Sequence, residues 1–556
     1  MIKKKIQKGI KSTLQELWSK SVDLSGLELE IPADESHGDF SSNISFKLAG
    51  QLKRDPKDIA SELADNLSSD LFECKSKGGF LNFYLTSSAL EDILKDTLQF
   101  NLEDKDKTMV LDYSAPNIAK PFGIGHLRST IVGQAIYNIY KFSGWNCVGV
   151  NHLGDWGTQY GKLLYQIIEN DLNPKKLSVK DLEKLYVEFH KEAEENSDME
   201  DGAREWFKKL EDGDEKARKI WKTCVKTSLK EFNKTYDLLD VDIDHVMGES
   251  FYQDKMETVV EEAKQKGIAK KSQGALIVEF EEEMPPAMLL KSDGGTNYFT
   301  RDLATVKYRL KRWNPDLFIY EIGADQKLHM RQLFKTVEML GWEEESSFMH
   351  VAHGMYRLKD GAMSTRKGKT IHLEDVLNEA IERAEKIIEE SETTGEMTEK
   401  EKREIAQKVG VGAVKYADLK KHYKKDIVFD WDKVLNLKGN SGPYLQYATL
   451  RAKSVLETHE GDIDLELNDL STKERSLVKK ITEFNENVEV ARRNFTPSTI
   501  ANYAYELAKA FNGFYNDHPI LNSEDKRDQR LAITEATFKT LEKSLDLLGI
   551  SLPERM

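Results

Sequence analysis

Between Met109 and Gly144 the chain changes its hydrophobic period, and that change narrows the folds open to it. An apolar run ending Leu111-Asp112-Tyr113 breaks into Ser114-Ala115-Pro116-Asn117 and then Ile118-Ala119-Lys120-Pro121-Phe122-Gly123-Ile124-Gly125-His126. From there Leu127, Ile131, Ala135, Ile139 and Phe142 recur at helical spacing up to Gly144, a natural stop. Pro116 and Pro121 cannot donate to a ladder and bias the residues before them away from helix, so strand gives way to loop. A second apolar run, Val148-Gly149-Val150, ends in the polar string Asn151-His152-Leu153-Gly154-Asp155-Trp156-Gly157-Thr158-Gln159. Strand, helix, strand over this length is a βαβ unit, which implies a parallel sheet and places both loops beyond its carboxyl ends, where ligands bind. Gly123 and Gly125 let backbone approach a ligand, and the free N–H groups of the helix start suit phosphate. Glycines and one histidine by themselves fit an ordinary βα turn better, because short glycine patterns recur by chance.

The rest of the chain predicts an α/β protein with appended modules. At 556 residues it holds several domains. Residues 1–105 read as a small N-terminal α+β domain: a helix over 6–21, the turn His37-Gly38-Asp39-Phe40, two more helices, and a strand over 80–85. Residues 106–400 carry the sheet, with a charge-dense helical insertion over about 163–264 whose runs, such as Lys191-Glu192-Ala193-Glu194-Glu195, suit solvated faces. A helix opens at Tyr298 and passes Asp302, and strands follow over 317–322 and 348–353. The first runs into Gly323-Ala324-Asp325-Gln326-Lys327-Leu328-His329, and beyond the second lies Gly361-Ala362-Met363-Ser364-Thr365-Arg366-Lys367-Gly368-Lys369. That last loop is cationic and glycine-flanked, suited to closing on a polyphosphate. Residues 401–556 predict an all-α bundle in which Lys420, Lys421, Arg451 and Lys453 accompany Tyr444 and Tyr447. Basic and aromatic side chains together suit unstacked bases, although a bundle with a charged skin has the same composition.

Composition excludes several classes. No apolar run approaches the length of a membrane span, and the lysine-rich start lacks the apolar core and cleavage site of a secretory signal. Cys74, Cys147 and Cys224 are far apart with no CxxC, which indicates neither disulfides nor zinc and fits a reducing cytoplasm. A net charge of −15 argues against nucleic acid only weakly, since a local basic stripe is enough to release counterions.

Ser114 to Lys120 followed by Gly125-His126-Leu127-Arg128-Ser129-Thr130 resembles the first signature of class I aminoacyl-tRNA synthetases, in the form carried by arginyl-tRNA synthetases. The His152 to Gln159 string, the Gly78 to Phe83 strand and Gly442-Pro443-Tyr444-Leu445-Gln446-Tyr447-Ala448 match the same family, so the resemblance covers nearly the whole chain. It implies a Rossmann-like parallel-sheet catalytic domain, an N-terminal domain that touches tRNA and an anticodon-binding bundle. The implied activity joins L-arginine to ATP as an adenylate and transfers it to the 2′-hydroxyl at the end of tRNA(Arg), with Mg²⁺ on the ATP and no zinc. A cytoplasmic monomer without membrane contact is implied too.

Two departures sharpen the site. Gly123 stands where the signature's first histidine is expected, and Ala362 replaces the first lysine of the second signature, which the 361–369 loop otherwise resembles. Lys120 then inherits the phosphate contact. By the resemblance Lys120, His126, Arg366 and Lys367 are catalytic, and Gly123, Gly125, His329, Met363 and Ser364 hold ATP with them. Asp112, Ser114, Asn117, Tyr298, Asp302 and Gln326 form the arginine pocket, and Tyr444, Tyr447 and Arg451 meet tRNA. An arginine site needs carboxylates that take a guanidinium in paired bonds, and Asp112 and Asp302 are the candidates, although an aspartate at a strand end also serves as a loop cap. Competing readings are a synthetase-derived, non-catalytic tRNA-binding protein, and another class I synthetase or nucleotidylyltransferase.

Overall fold

The computed structural model describes all residues except 1, 19–26, 33, 68, 101–105, 282–283, 344–345, 358–370, 391–396, 429, 435–438 and 524. Two compact units result, both assembled from separated segments.

The larger unit comprises residues 102–450, 486–506 and 541–556. Its centre is a five-stranded parallel sheet: β1 (Thr108–Asp112), β2 (Asn146–Asn151), β3 (His245–Val246), β4 (Leu317–Gly323) and β5 (Ser347–His353). The spatial order is β5-β4-β1-β2-β3, with Asp112 paired to Tyr320 on one side and Val150 on the other. The order reverses between β1 and β4, and the crevice beyond that reversal is where such sheets bind ligands. Buried on both faces, β1 is apolar through Met109, Val110 and Leu111. The helix after it, α1 (Ile124–Phe142), is almost wholly buried. Gly133 makes its approach possible, since a Cβ there would lie 2.5 Å from the Tyr113 side chain.

One expectation is corrected. The stretch of about 163–264, read as a helical insertion, does hold long helices, among them α2 (Glu215–Leu239), but His245–Val246 within it is the edge strand of the sheet. Two residues are too few to show a period, so nothing in the sequence marks them. A separate three-stranded antiparallel sheet (Ala269–Ser272, Ala275–Val278, Ala287–Leu290) was likewise not anticipated. Two more helices complete the crevice: α3 (Tyr298–Trp313), capped by the Asn297 side chain, and α4 (Lys327–Met339).

The smaller unit joins residues 1–101 to 451–485 and 507–540. Its antiparallel sheet has Phe80–Leu85 at the centre, flanked by Phe40–Ser42 and Phe72–Lys77. Asp39, in the Gly-Asp-aromatic turn, accepts from the Leu85 N–H at 2.6 Å and binds Arg475 at 2.6 Å and Lys479 at 3.1 Å. One buried carboxylate thus ties the N-terminal sheet to a helix more than four hundred residues later in the chain.

Candidate active site

The loop from β1 to α1 is held in an unusual shape. Ser114, Ala115 and Ala119 have φ of 70°, 44° and 60°, a left-handed region that costs non-glycine residues energy. Long-range bonds hold them there. The Ser114 N–H donates to Ser129 Oγ at 3.0 Å, and the Ala119 N–H donates to Ser228 Oγ of α2 at 2.9 Å. The neighbouring string is equally close: Ile118 N–H donates to the Gly154 carbonyl at 3.1 Å, and a Cβ at Gly154 would collide with the Asn117 amide oxygen. The two polar loops quoted from the sequence are therefore one surface at the switch point.

Gly123 is the N-cap of α1 with φ −85°, an ordinary conformation for any residue. Its N–H donates to Nδ1 of His126 at 3.3 Å. Nδ1 being the acceptor, the ring proton sits on Nε2, and the half-buried imidazole is a neutral N–H donor. Burial pushes its pKa down to about 4, with the Lys120 ammonium adding to the effect. The helix start thus contributes N–H groups and a dipole rather than an imidazolium charge. Lys120 is the charged group of the loop, its Nζ 4.8 Å from the centre of the Tyr186 ring.

The pKa of His126 has a stability consequence. It lies below the ordinary 6.5, so between the two values the unfolded chain holds a proton that the folded chain refuses. Stability from this residue is complete above about pH 6.5 and lost as pH falls toward 4. A His126→Gln variant, unable to titrate, is expected to lose less of its melting temperature than the parent between pH 7 and pH 4. Parallel pH profiles would refute the burial argument.

Phe122 to Ile124 also meets the chain beyond the second loop. Ile124 N–H donates to the Ile371 carbonyl at 2.9 Å and Leu373 N–H to the Phe122 carbonyl at 2.7 Å. Residues 358–370, with Met363, Ser364, Arg366 and Lys367, lie outside the described residues, but the chain leaving them is bonded to the first loop. Arg128, with no exposed surface, secures the other side: its Nη1 donates to the carbonyls of Gly354 at 3.0 Å and Lys425 at 2.5 Å, and Nε lies 3.3 Å from Asp418.

The predicted arginine-binding residues fall in two groups. Asp112 is 4% exposed, and its Oδ2 accepts from Arg309 Nη1 at 2.6 Å, so it is not the free carboxylate expected. Among the described residues its Oδ1 has no partner, nor do the buried Arg309 Nη2, Tyr320 hydroxyl and His152 Nδ1. Buried polar atoms are rarely left unpaired, so these mark a place where a polar ligand fits. Asp302 accepts from or pairs with His329 Nε2 at 2.6 Å and lies 3.8 Å from His152 Nε2. His329, expected on ATP, therefore stands on the Asp302 carboxylate. Tyr298 is 62% exposed with its ring 5.1 Å from that of His329, and Gln326 is exposed in the short turn after β4. Asn117 lies on the loop itself, half-buried. The Ser114 hydroxyl, expected on the substrate, lies 2.8 Å from both Thr130 Oγ1 and the Tyr236 hydroxyl.

Sequence reasoning missed Arg309, Tyr320, Ser228 and Tyr236. Only Arg309 carried a signal: it lies seven residues after Asp302, hence on the same face of α3. In the bundle, Tyr447 is exposed and the Tyr444 ring lies 5.6 Å from that of Tyr505. Arg451 is engaged within its own unit, donating to Asn512 Oδ1 at 2.6 Å and stacked 5.0 Å from the Tyr515 ring.

Comparison with known proteins shows the family to which the chain is similar. Residues 89–431 match the family described as tRNA synthetases class I (R), catalytic domain, residues 445–556 the DALR anticodon binding domain, and residues 4–85 the arginyl tRNA synthetase N terminal domain. The arginine–tRNA ligase of Clostridioides difficile is 42% identical over 566 residues, covering 97% of this chain and 98% of its own. That of Halothermothrix orenii is 42% identical over 545 residues, 95% of each chain. Among solved structures, arginyl-tRNA synthetase from Plasmodium falciparum superposes with a TM-score of 0.83 at 26% identity, covering 100% of this chain and 99% of its own. The Thermus thermophilus enzyme shares the fold, with a TM-score of 0.81 at 24% identity over the full length of both chains.

Proposed function

This chain belongs to the class I arginyl-tRNA synthetase family, and from that premise we propose which of its residues carry out the reaction. It activates arginine with ATP and charges tRNA with it. In our reading the arginine carboxylate attacks the α-phosphorus, pyrophosphate leaves, and the arginyl group passes to the 2′-hydroxyl of the terminal adenosine. No protein nucleophile is needed, so the residues act by positioning and by stabilising charge. His126 donates its Nε2–H to the phosphates, the start of α1 adds backbone N–H groups, and Lys120 supplies the cation. Arg366 and Lys367 close from the second loop. Magnesium enters with ATP, whose phosphates carry it. The enzyme works in the cytoplasm as a monomer, on tRNA(Arg). Among the described residues no helix is long and apolar enough to cross a membrane.

The observation that supports arginine as the substrate is the buried Oδ1 of Asp112 at the carboxyl end of β1, which has no partner among the described residues. Arg309 neutralises one oxygen of Asp112 and leaves the other as an acceptor. A guanidinium satisfies it and reaches Asp302 through its other N–H groups, while lysine, which cannot fork, leaves one acceptor bare. Aminoacylation of unfractionated tRNA with labelled arginine tests the activity directly, and no incorporation would overturn it. For the pocket, Asp302→Asn removes a charge-assisted bond contributing roughly 1.5–3 kcal/mol, so the arginine KM is expected to rise about ten- to a hundredfold with little change in the ATP KM. Equal rises in both would remove Asp302 from the pocket.

A further inference from the structure

On the outer side of α2 an open groove of about 990 Å³ is lined by Lys219, Lys222, Lys226 and Lys230 together with Lys175 and Lys176 of the preceding turn. One acid, Glu215, lines it. All six lysines are exposed. Lys222, Lys226 and Lys230 are spaced by four, so they form one row, and like charges at that spacing weaken a helix. Elsewhere on the surface lysines meet acids at this spacing, as Lys95 does Glu91 and Lys539 does Glu535. Among the described residues none of the six lysines makes an ion pair. A concentrated, unneutralised row in a chain of net charge −15 is what a polyanion site requires and what a merely solvated face does not.

Two further features favour RNA. The steps of the row are about 6 Å, four residues at 1.5 Å each, comparable with the spacing of successive phosphates along a strand. Immediately beside it Trp221, Val225 and Leu229 line a second, apolar groove that shares Lys222, Lys226 and Lys230 as its edge. Cations along the backbone with an aromatic shelf beside them is the arrangement by which proteins hold single strands.

The opposite face of the same helix supports the reactive loop. Ser228 accepts from Ala119, Tyr236 bonds to Ser114, and Phe232 packs edge-on against Phe122. A helix is only about 10–12 Å across, so the lysine row stands one helix diameter behind the loop that carries Lys120. We propose that this row binds the phosphates of the tRNA strand leading to the reacting end, so that one helix grips the nucleic acid on one face and shapes the catalytic loop on the other. The proposal rests on the arginyl-tRNA synthetase reading.

The test is the full-length Lys222→Glu/Lys226→Glu/Lys230→Glu variant, with Lys264→Glu/Lys270→Glu/Lys271→Glu as a control of equal charge change on another surface of the same unit. Binding of fluorescently labelled unfractionated tRNA is measured from 50 to 300 mM salt, beside steady-state aminoacylation. The expected result is a tRNA Kd raised roughly tenfold or more for the groove variant alone, a salt slope reduced by about 2–3, and arginine and ATP KM values unchanged at saturating tRNA. An unchanged Kd and slope overturns the proposal, as does an equal rise in the control, which would make the effect one of net charge. Loss of heparin binding with tRNA binding retained overturns it too. If the parent protein binds tRNA but charges none with arginine, the functional reading fails while the binding comparison still decides the groove.

Discussion

Lys120→Ala is expected to reduce ATP–pyrophosphate exchange by a factor of roughly 10²–10³, the 2.7–4 kcal/mol typical of a lost donor to a developing charge. Three observations lead there. Ala362 removes the lysine that the second signature would supply. His126 is neutral, its pKa pushed down to about 4, so it cannot substitute as a cation. The Lys120 ammonium is carried on a loop that Ser228 and Gly154 hold in place, so its charge is pre-positioned. The loss should fall on kcat as well as on kcat/KM, because the negative charge already on the phosphates grows further as pyrophosphate leaves. Lys120→Arg, which keeps the charge but not the shape, is expected to recover part of the rate. Parent and variant are compared with tRNA present in the assay. An exchange rate within a factor of three of the parent would return the phosphate contact to the second loop.

Arg128→Met is expected to destabilise the larger unit by roughly 3–5 kcal/mol, the usual cost of removing one member of a buried ion pair. Arg128 and Asp418 are both essentially without exposed surface, and the guanidinium also satisfies the carbonyls of Gly354 and Lys425. Its removal strands a carboxylate and two carbonyls. The Tyr356 hydroxyl, 2.7 Å from Asp418, remains as a donor to that carboxylate. A lowered urea midpoint and melting temperature are the measurements. Arg128→Met/Asp418→Asn should recover part of the loss, since the stranded charge goes with it. A single variant within about 1 kcal/mol of the parent would show that the pair is dispensable. Because Gly354 leads into Tyr356–Arg357, the last described residues before the second loop, activity should fall with stability.

Much of the catalytic half was legible in the sequence, for a local reason. The strand ending at Asp112 and the helix through Phe142 are found within a few residues of where the apolar period places them, because period and capping act over neighbouring residues. Strands Leu317–Gly323 and Ser347–His353 follow the same rule. The two-residue strand His245–Val246 does not, because it owes its state to β2 beside it rather than to its own side chains. At the site, residue types were legible and their partners were not. Asp112 read as an acceptor for substrate, yet Arg309 takes one of its oxygens.

By itself, then, the sequence determined the parallel-sheet architecture, the family, and which loops face the crevice, since each rests on patterns confined to short stretches. Tertiary structure decided which groups in those loops remain available. Ser114 is consumed by Tyr236 from 122 residues away, Asp112 keeps one free oxygen because Arg309, 197 residues on, takes the other, and Ala119 holds a left-handed turn because Ser228 receives its N–H. A hydrogen bond across such distances leaves no period in the sequence, and the protonation state of His126 depends on burial that only the packed fold creates.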